Sequence, residues 1–349
     1  MMAIRRQAAI ALLAAVLLAA CSGTGSPPRK ARLYAFGTRV TITAYGLDGP
    51  GFDDAVADAR RHLETWHGRW HPDRGDGIAR LNRRLAAGEA ATVPRDLRPL
   101  LSRAARLEHR SGGHFNAGLG ALVRLWGFDE ATDLPSRPPP AGDVTDLVHK
   151  HPSLSALSPG DGRLEAGHTA VRIDLGGFAK GVAAGRLRTL FRDAGADAVL
   201  VSAGGDIATA GTPGDRPWRI GIRSPRGEGL IARVTLRAGE SIFTSGDYER
   251  FFEYDGQRYH HIIDPATGRP ARGVRSVTVI ADDPGLADAA ATALFVAGPG
   301  DWVTTARRLG IAAAMLIDGR GGVHLTDAMA KRIELQGDPA PDVVERVTP

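Results

Sequence analysis

Twenty residues near the middle of the chain restrict its fold more than any others. Val171–Leu190 reads VRIDLGGFAKGVAAGRLRTL. Val171 and Ile173 alternate around Arg172, the pattern of a strand end. Asp174 follows, then Gly176-Gly177 and Lys180-Gly181. Ala183, Leu187, Leu190 and Phe191 then recur at i, i+4, i+7 and i+8, the apolar stripe of a helix. The order is therefore strand, glycine bend, helix start. A helix start offers unpaired backbone N–H groups and a partial positive charge, which suit phosphate. Paired glycines let the backbone approach a ligand closely. Asp174 and Lys180 put opposite charges around the bend. The same residues also fit a tight βα turn closed by a surface ion pair.

The ends of the chain read differently from its middle. Arg5-Arg6 precede an apolar run, Ala8 to Ala20, which is too short to span a membrane comfortably. It ends Leu18-Ala19-Ala20-Cys21-Ser22, and Cys21 is the only cysteine in the chain. That ending resembles a bacterial lipoprotein box. Residues 1–20 are then a lipoprotein signal peptide, and residues 21–31, rich in Gly, Ser and Pro, a flexible tether. The body is expected to be exported and lipid-anchored through Cys21, at the periplasmic face of a bacterial membrane. The alternative is a plain secretory signal with an incidental cysteine. A single cysteine also excludes disulfides, a cysteine nucleophile within the body and a thiolate metal site. Mean hydropathy of −0.15 excludes a polytopic membrane protein. The net charge of +5 comes from scattered arginines without interleaved aromatics, so no nucleic acid is implied.

Between the ends, the periodicity predicts helices and strands in alternation. Arg32–Tyr45 reads as one or two strands broken near Gly37, and Phe52, Val56, Ala59, Leu63 and Trp66 as an amphipathic helix. The stretch 70–82, WHPDRGDGIARLN, reads as a loop, in which Trp70 either stacks on an aromatic ligand or packs inward. Residues 114–128, HFNAGLGALVRLWGF, form a pocket wall or a buried turn and helix. Pro135 and Pro138–Pro140 mark a seam near residues 133–145. Asp255-Gly256 between two strand-like runs predicts a hairpin. Strands joined by hairpins, with helices between, imply an α+β fold with largely antiparallel sheets and packed helices.

Chemistry-bearing residues fall in two further places. Asp288 and Thr292 are i, i+4 neighbours on a predicted helix, 286–295, whose Ala287, Ala290, Ala291 and Leu294 face inward. A carboxylate and a hydroxyl one turn apart suit a magnesium ion, which takes oxygen ligands. They also suit an exposed Asp beside a Thr bonded back to its own helix. His260-His261 lie at a strand exit, and alternation turns only one of them into a cleft. His261 is the candidate base or phosphate contact, a structural histidine being the other reading. No HExxH, GxSxG or GxxxxGK[ST] motif occurs.

Taken together, DLGGFAKG (174–181), SAGGDI (202–207), TSGDYERFFEYDGQRYHHIIDPATGRP (244–270) and LADAAATALFVAGP (286–299) resemble the ApbE family of FAD:protein FMN transferases. GLGALVRLWGF (118–128) and WHPDRGDGIARLN are similar to that family's segments as well, and the resemblance runs from about Tyr34 to about Thr326 in the family's order. It implies a T-fold-like, two-lobed domain over residues 32–330, with residues 331–349 as a C-terminal tail. It implies magnesium on the Gly177 carbonyl, Asp288 and Thr292. It implies FAD, as substrate, contacted by Phe36, Trp70, His114, Phe115, Asn116, Asp174, Lys180 and Ile263, with His261 serving the chemistry. Phe36 and Trp70 stand where many members carry Met and Tyr. The implied activity is Mg-dependent transfer of FMN to a Thr or Ser hydroxyl of acceptor flavoproteins, with release of AMP. The acceptors are expected among exported or membrane electron-transfer proteins. A Mg-dependent FAD pyrophosphatase and a non-catalytic exported FAD-binding lipoprotein are the alternatives.

Overall fold

The computed structural model describes residues 27–129, 134–157, 162–164, 170–336 and 343–347. Cys21 and the rest of the signal stretch, with part of the proline-rich seam, lie outside these residues. In chain order the strands are β1 (Arg29–Ala35), β2 (Thr38–Tyr45), β3 (Ala91–Thr92), β4 (Arg163–Leu164), β5 (Ala198–Ala203), β6 (Asp206–Ala210), β7 (Trp218–Arg223), β8 (Leu230–Leu236), β9 (Ser241–Gly246), β10 (Phe251–Tyr254), β11 (Gln257–His260), β12 (Val274–Ala281), β13 (Ala313–Asp318), β14 (Val323–Thr326), β15 (Ile333–Leu335) and β16 (Val343–Val347). The helices are α1 (Gly49–Trp70), α2 (Ile78–Ala86), α3 (Arg98–Arg110), α4 (Gly120–Leu125), α5 (Ala141–His149), α6 (Ala179–Asp193), α7 (Pro284–Leu309) and α8 (Asp327–Ala330).

One nine-stranded sheet, in the order β1-β2-β5-β6-β9-β12-β13-β14-β16, carries the architecture. Its ladders are antiparallel except β14–β16. Side chains alternate across it with the strand period of two. Val199, Val201, Phe243, Val277, Val279, Ala314 and Leu316 face one core, shared with α1, α6 and α7. Ile242, Ile280, Met315 and Ile317 face a second, beneath the small sheet β15-β8-β7. A third apolar cluster joins α4, α5 and the β10–β11 hairpin through Trp126, Phe128, Phe252 and Ile263. The fold is thus mixed helix and largely antiparallel sheet, as expected, and among the described residues no sheet closes into a barrel.

Local chemistry accounts for the elements that matter below. Asp48 caps α1, its carboxylate accepting the Gly51 N–H at 2.7 Å. Asp283 caps α7 in the same way through Leu286 N–H at 3.1 Å, and Pro284 occupies the first turn. Gly310 ends α7 in the left-handed conformation. That helix is two rods: Gly298, at φ 68° and ψ 177°, breaks it ahead of Pro299. Only glycine holds such a geometry without strain.

Several sequence expectations shift. Trp70 is the last residue of α1 rather than part of a loop. Val171–Ile173 is extended but makes a single bridge, Arg172 to Leu119, because its neighbour there is a short segment rather than a strand. Pro138–Pro140 lead into α5, so the described part of the seam is partly helical. The first strand begins at Arg29, inside the segment read as tether, and the fold continues past residue 330, where β15 pairs with β8 and β16 with β14.

α6 and α7 lie antiparallel and very close, because glycines form the contact. A Cβ on Gly181 would stand 2.2 Å from the Pro284 carbonyl oxygen and 2.8 Å from Asp288 Cβ. Gly181→Ala must therefore push the helices apart. Its expected cost is about 1–3 kcal/mol of stability, measured by chemical denaturation.

Candidate active site at the α6–α7 junction

The Asp174–Gly181 bend is held from behind by side-chain clamps. Asn82 accepts the Ile173 N–H at 2.7 Å and donates to the Ile173 carbonyl at 2.9 Å. Asp174 donates its backbone N–H to the Ala117 carbonyl at 2.9 Å. The Asp174 carboxylate accepts the Gly176 N–H at 2.7 Å, which shapes the turn into α6. The ion pair allowed for between Asp174 and Lys180 does not form. Lys180 instead reaches across to Asp206, a buried carboxylate at the start of β6. The other Asp206 oxygen accepts the Thr244 N–H at 2.9 Å, so this carboxylate ties α6 to β9.

The helix residues meet the bend from α7. Asp288 accepts the Gly181 N–H at 2.8 Å. Thr292 stands beside Gly177, where a Cβ would come within 3.0 Å of its hydroxyl oxygen. Ser245 lies 3.3 Å from that hydroxyl. Asp288 is buried, not an exposed helix carboxylate, because it faces α6 rather than solvent. Thr292 is 3.5 Å from its own Asp288 carbonyl, at the outer limit of a back-bond.

Charge at this junction is unbalanced. Burial opposes the Lys180 charge, yet Asp206, Asp288 and Glu249 outweigh it and hold the ammonium above its ordinary pKa. Burial, reinforced by Asp206 and Glu249, pushes the Asp288 carboxyl up, with Lys180 and the Gly181 N–H opposing. Glu249 is likewise pushed up, first by burial within the surrounding protein, although its side chain keeps solvent access. Asp206, Asp288 and Glu249 face Lys180 here, with Arg250 and Arg223 also acting on Glu249, and the Asp206–Asp288 pair against Lys180 leaves one negative charge when both are ionised. A divalent cation would neutralise that excess. The side-chain donors at hand, the Asp288 carboxylate and the Thr292 and Ser245 hydroxyls, are hard oxygens of the kind magnesium takes. Among the described residues no group of three or more His, Cys, Asp or Glu is placed to hold a metal. Any ion here would depend on hydroxyl, carbonyl and substrate oxygens as well.

The two adjacent histidines separate as alternation requires. His260 is buried and neutral, its Nε2 bonded to the Ala271 carbonyl at 2.9 Å while its Nδ1 accepts Ile262 N–H. Burial pushes its pKa down to about 4. His261 keeps partial exposure, with Nδ1 3.3 Å from the Arg250 carbonyl. A carbonyl only accepts, so Nδ1 carries the proton and Nε2 presents a lone pair. Burial, then Arg250, His260 and Lys180, hold its pKa well below the usual histidine value.

The remaining candidates surround this centre less evenly. Phe36 sits in the left-handed region (φ 52°) at the β1–β2 turn and stacks on Trp70 at 5.7 Å. Trp70 stacks in turn on Trp66 at 5.5 Å and is 5% exposed, so packing takes most of its surface. Phe115 is buried against Phe178, and Ile263 in the α4–α5 cluster. Asn116 is occupied, accepting Gly118 N–H and donating to the Pro152 carbonyl. His114 lies 3.2 Å from Asp301, just beyond the α7 break. One His-x-x-x-His pair exists, His67 and His71. Both Nδ1 atoms already accept backbone N–H groups, so each ring holds its proton on Nε2, which opposes metal ligation. A cavity of about 1130 Å³ opens on the outer face of α6, beside Trp66, Arg103, Gly185 and Arg186, and shares only Gly181 with the bend.

Sequence reading passed over Asp206, Ser245, Glu249 and Asn82. Asp206 stands within SAGGDI, directly after the paired glycines Gly204-Gly205, which mark a place where the backbone turns tightly. Nothing in spacing along the chain connects it to Lys180.

Comparison with known proteins gives one consistent pattern. The family model described as "ApbE family" matches residues 36–316. The FAD:protein FMN transferase of Rhodobacter capsulatus is 37% identical over 325 residues, covering 91% of this chain and 61% of that protein. The protein of the same name from Treponema pallidum is 40% identical over 238 residues, covering 63% of this chain and 65% of that protein. Over these two curated relatives the chain therefore spans less than two thirds of their length. The Salmonella typhimurium protein of that name is 30% identical, with 90% of this chain and 93% of that protein covered. Among solved structures, the ApbE protein of Thermotoga maritima superposes with a TM-score of 0.77 at 30% identity, covering 87% of this chain and 98% of that one. The apo flavinyl transferase ApbE of Pseudomonas stutzeri gives 0.76 at 29%, covering 89% and 98%.

Proposed function

Because the chain belongs to the ApbE family, we propose that it transfers FMN from FAD to a threonine or serine hydroxyl of an acceptor protein, releasing AMP. The supporting observation is the meeting of Gly177, Lys180, Asp288 and Thr292 at the start of a 15-residue helix. The FAD diphosphate is set beside that helix start, where the Lys180 charge receives it; the N–H groups of Gly176, Phe178, Ala179 and Gly181 already have partners within the protein. Gly177, Asp288 and Thr292 would hold a magnesium ion, which when bound stabilises charge on a departing phosphate. Asp174 and Lys180 orient the dinucleotide, and the Phe36–Trp70 pair and the His114–Asn116 segment border it.

The reaction forms a bond from the acceptor hydroxyl oxygen to the FMN-side phosphorus. The bond from that phosphorus to the bridging oxygen breaks, and AMP leaves with that oxygen. The hydroxyl proton passes to Nε2 of His261, whose neutral state and fixed tautomer suit it as a base. Acceptors belong to exported or membrane electron-transfer systems on this reading. The test is intact-mass spectrometry of a threonine-bearing acceptor domain incubated with the full chain, FAD and magnesium. The expected result is an FMN-sized adduct with one AMP released per adduct. Absence of the adduct overturns transfer, and free FMN plus AMP without acceptor would point to hydrolysis instead.

The lipoprotein-box ending at Cys21 supports a protein anchored by lipid at the periplasmic face of a bacterial membrane. Cys21→Ser is expected to abolish palmitate labelling and move the protein from the membrane to the soluble fraction. Unchanged fractionation would exclude this anchor.

A further inference from the structure

His261 is held by a closed circuit of contacts drawn from separate parts of the chain. The Arg250 carbonyl accepts the His261 backbone N–H at 3.1 Å, continuing the β10–β11 ladder by one rung. The same oxygen lies 3.3 Å from His261 Nδ1. The Arg250 guanidinium turns the other way and donates to the Phe128 carbonyl at 3.0 Å. Phe128, fully buried, closes the circuit by setting its ring edge-on to the imidazole, centroids 6.5 Å apart at 70°. One arginine thus touches both ends: its carbonyl fixes the histidine proton, and its side chain fixes the aromatic residue against which the histidine rests.

Behind Phe128 a column of stacked rings resists movement. Phe128 stacks on Phe252 at 5.8 Å, Phe252 on Tyr259 at 5.2 Å, and Tyr259 on Trp126 at 5.6 Å. Trp126 is pinned by its indole N–H to the Gly268 carbonyl at 2.7 Å. The column begins beside His261 and ends in the α4–α5 cluster, so the ring cannot tilt toward Phe128 without disturbing buried packing.

We propose that Arg250 and Phe128 are positioning residues that fix the ring orientation and the Nδ1–H tautomer of His261. Resting on the reading of His261 as proton acceptor, this names what keeps its Nε2 lone pair free and aimed. The charged and titratable groups bearing on His261 are Arg250 on its own hairpin, His260 beside it and Lys180 from α6. Arg250 is the one among them that also contacts His261 directly.

Heteronuclear NMR of the imidazole nitrogens in the full chain tests this without reference to turnover. In the wild type, His261 should show a protonated Nδ1 and a bare Nε2 through the neutral range, with a titration midpoint well below 6.5. In Arg250→Gln, which keeps the main-chain carbonyl but removes the charge and the guanidinium's reach to Phe128, the midpoint should rise toward 6.5 and the loosened ring should take a second orientation, mixing the tautomers. Arg250→Lys, which keeps a charge and a donor for the Phe128 carbonyl, should restore most of the wild-type signature. Phe128→Leu should mix the tautomers while leaving the midpoint less changed. His260 is the internal control for folding, since its bond to Ala271 lies outside the circuit. His261 resonances unchanged in Arg250→Gln, with His260 intact, would overturn the proposal. Transfer by Arg250→Gln should fall roughly 10- to 100-fold in kcat with little change in KM for FAD. Shifted His261 resonances with unchanged kcat would uphold the circuit and count instead against the proton-acceptor reading.

Discussion

Asp288→Asn should lower FMN transfer by roughly 10³-fold while making the metal-free protein more stable. The first half follows from charge. Loss of a few kcal/mol of charge stabilisation at the departing phosphate amounts to about three powers of ten in rate. The amide oxygen of asparagine can still accept the Gly181 N–H, so the α6–α7 contact survives and the loss is not one of folding. The second half follows from burial. The Asp288 carboxyl is held above its unfolded pKa by burial and by Asp206 and Glu249. A raised acidic pKa means the folded state binds more protons than the unfolded one, so ionising this group costs stability as pH rises. An uncharged side chain removes that cost. Differential scanning calorimetry without magnesium, at pH 8, should show a higher melting temperature for the variant, by about 2 °C for each kcal/mol relieved. Added magnesium should raise the wild type and leave the variant unmoved. A variant that is both slower and less stable would mark Asp288 as a packing residue.

His261→Gln should cost roughly 10²- to 10⁴-fold in kcat, the range for losing a positioned base. The pH profile is the sharper measurement. His261 titrates well below the ordinary histidine value, because burial and the Arg250 charge disfavour imidazolium. In the wild type it is therefore neutral, and competent, across the physiological range. At saturating magnesium, which keeps Asp288 ionised, transfer should stay level as pH falls through about 6.5, where an unperturbed histidine would already have lost activity. The fall should come only in more acid solution, and His261→Gln should lack it. A wild-type profile that breaks near 6.5 would assign the proton to another group.

Much of this arrangement could be read from the chain, and the part that could not has a common cause. The bend at 174–181, the hairpin at Asp255-Gly256 and the α7 stripe declare themselves through local period and turn chemistry, and each appears where expected. Alternation lets only one of His260 and His261 face a cleft, and their burial differs accordingly, His260 buried and His261 partly exposed. Asp206 escaped notice because its partner Lys180 lies 26 residues earlier on another element, and nothing local records that contact. The Asn82 clamp on Ile173 spans 91 residues and was hidden for the same reason. Trp70 reads as loop from the sequence because Pro72 and the glycines after it obscure where α1 stops. Periodicity reports which face of an element turns inward; it does not report which element it will meet.

The break in α7 at Gly298 has a mechanical consequence. A continuous 26-residue rod would carry any bending at its far end directly to Asp288 and Thr292. With its hydrogen-bond ladder interrupted, the rod becomes two segments, and the second takes its direction from its own core packing through Trp302, Ala306 and Leu309. A repacking around Trp302 therefore reaches the oxygen atoms facing Gly177 through side-chain contacts, not along an unbroken helical backbone.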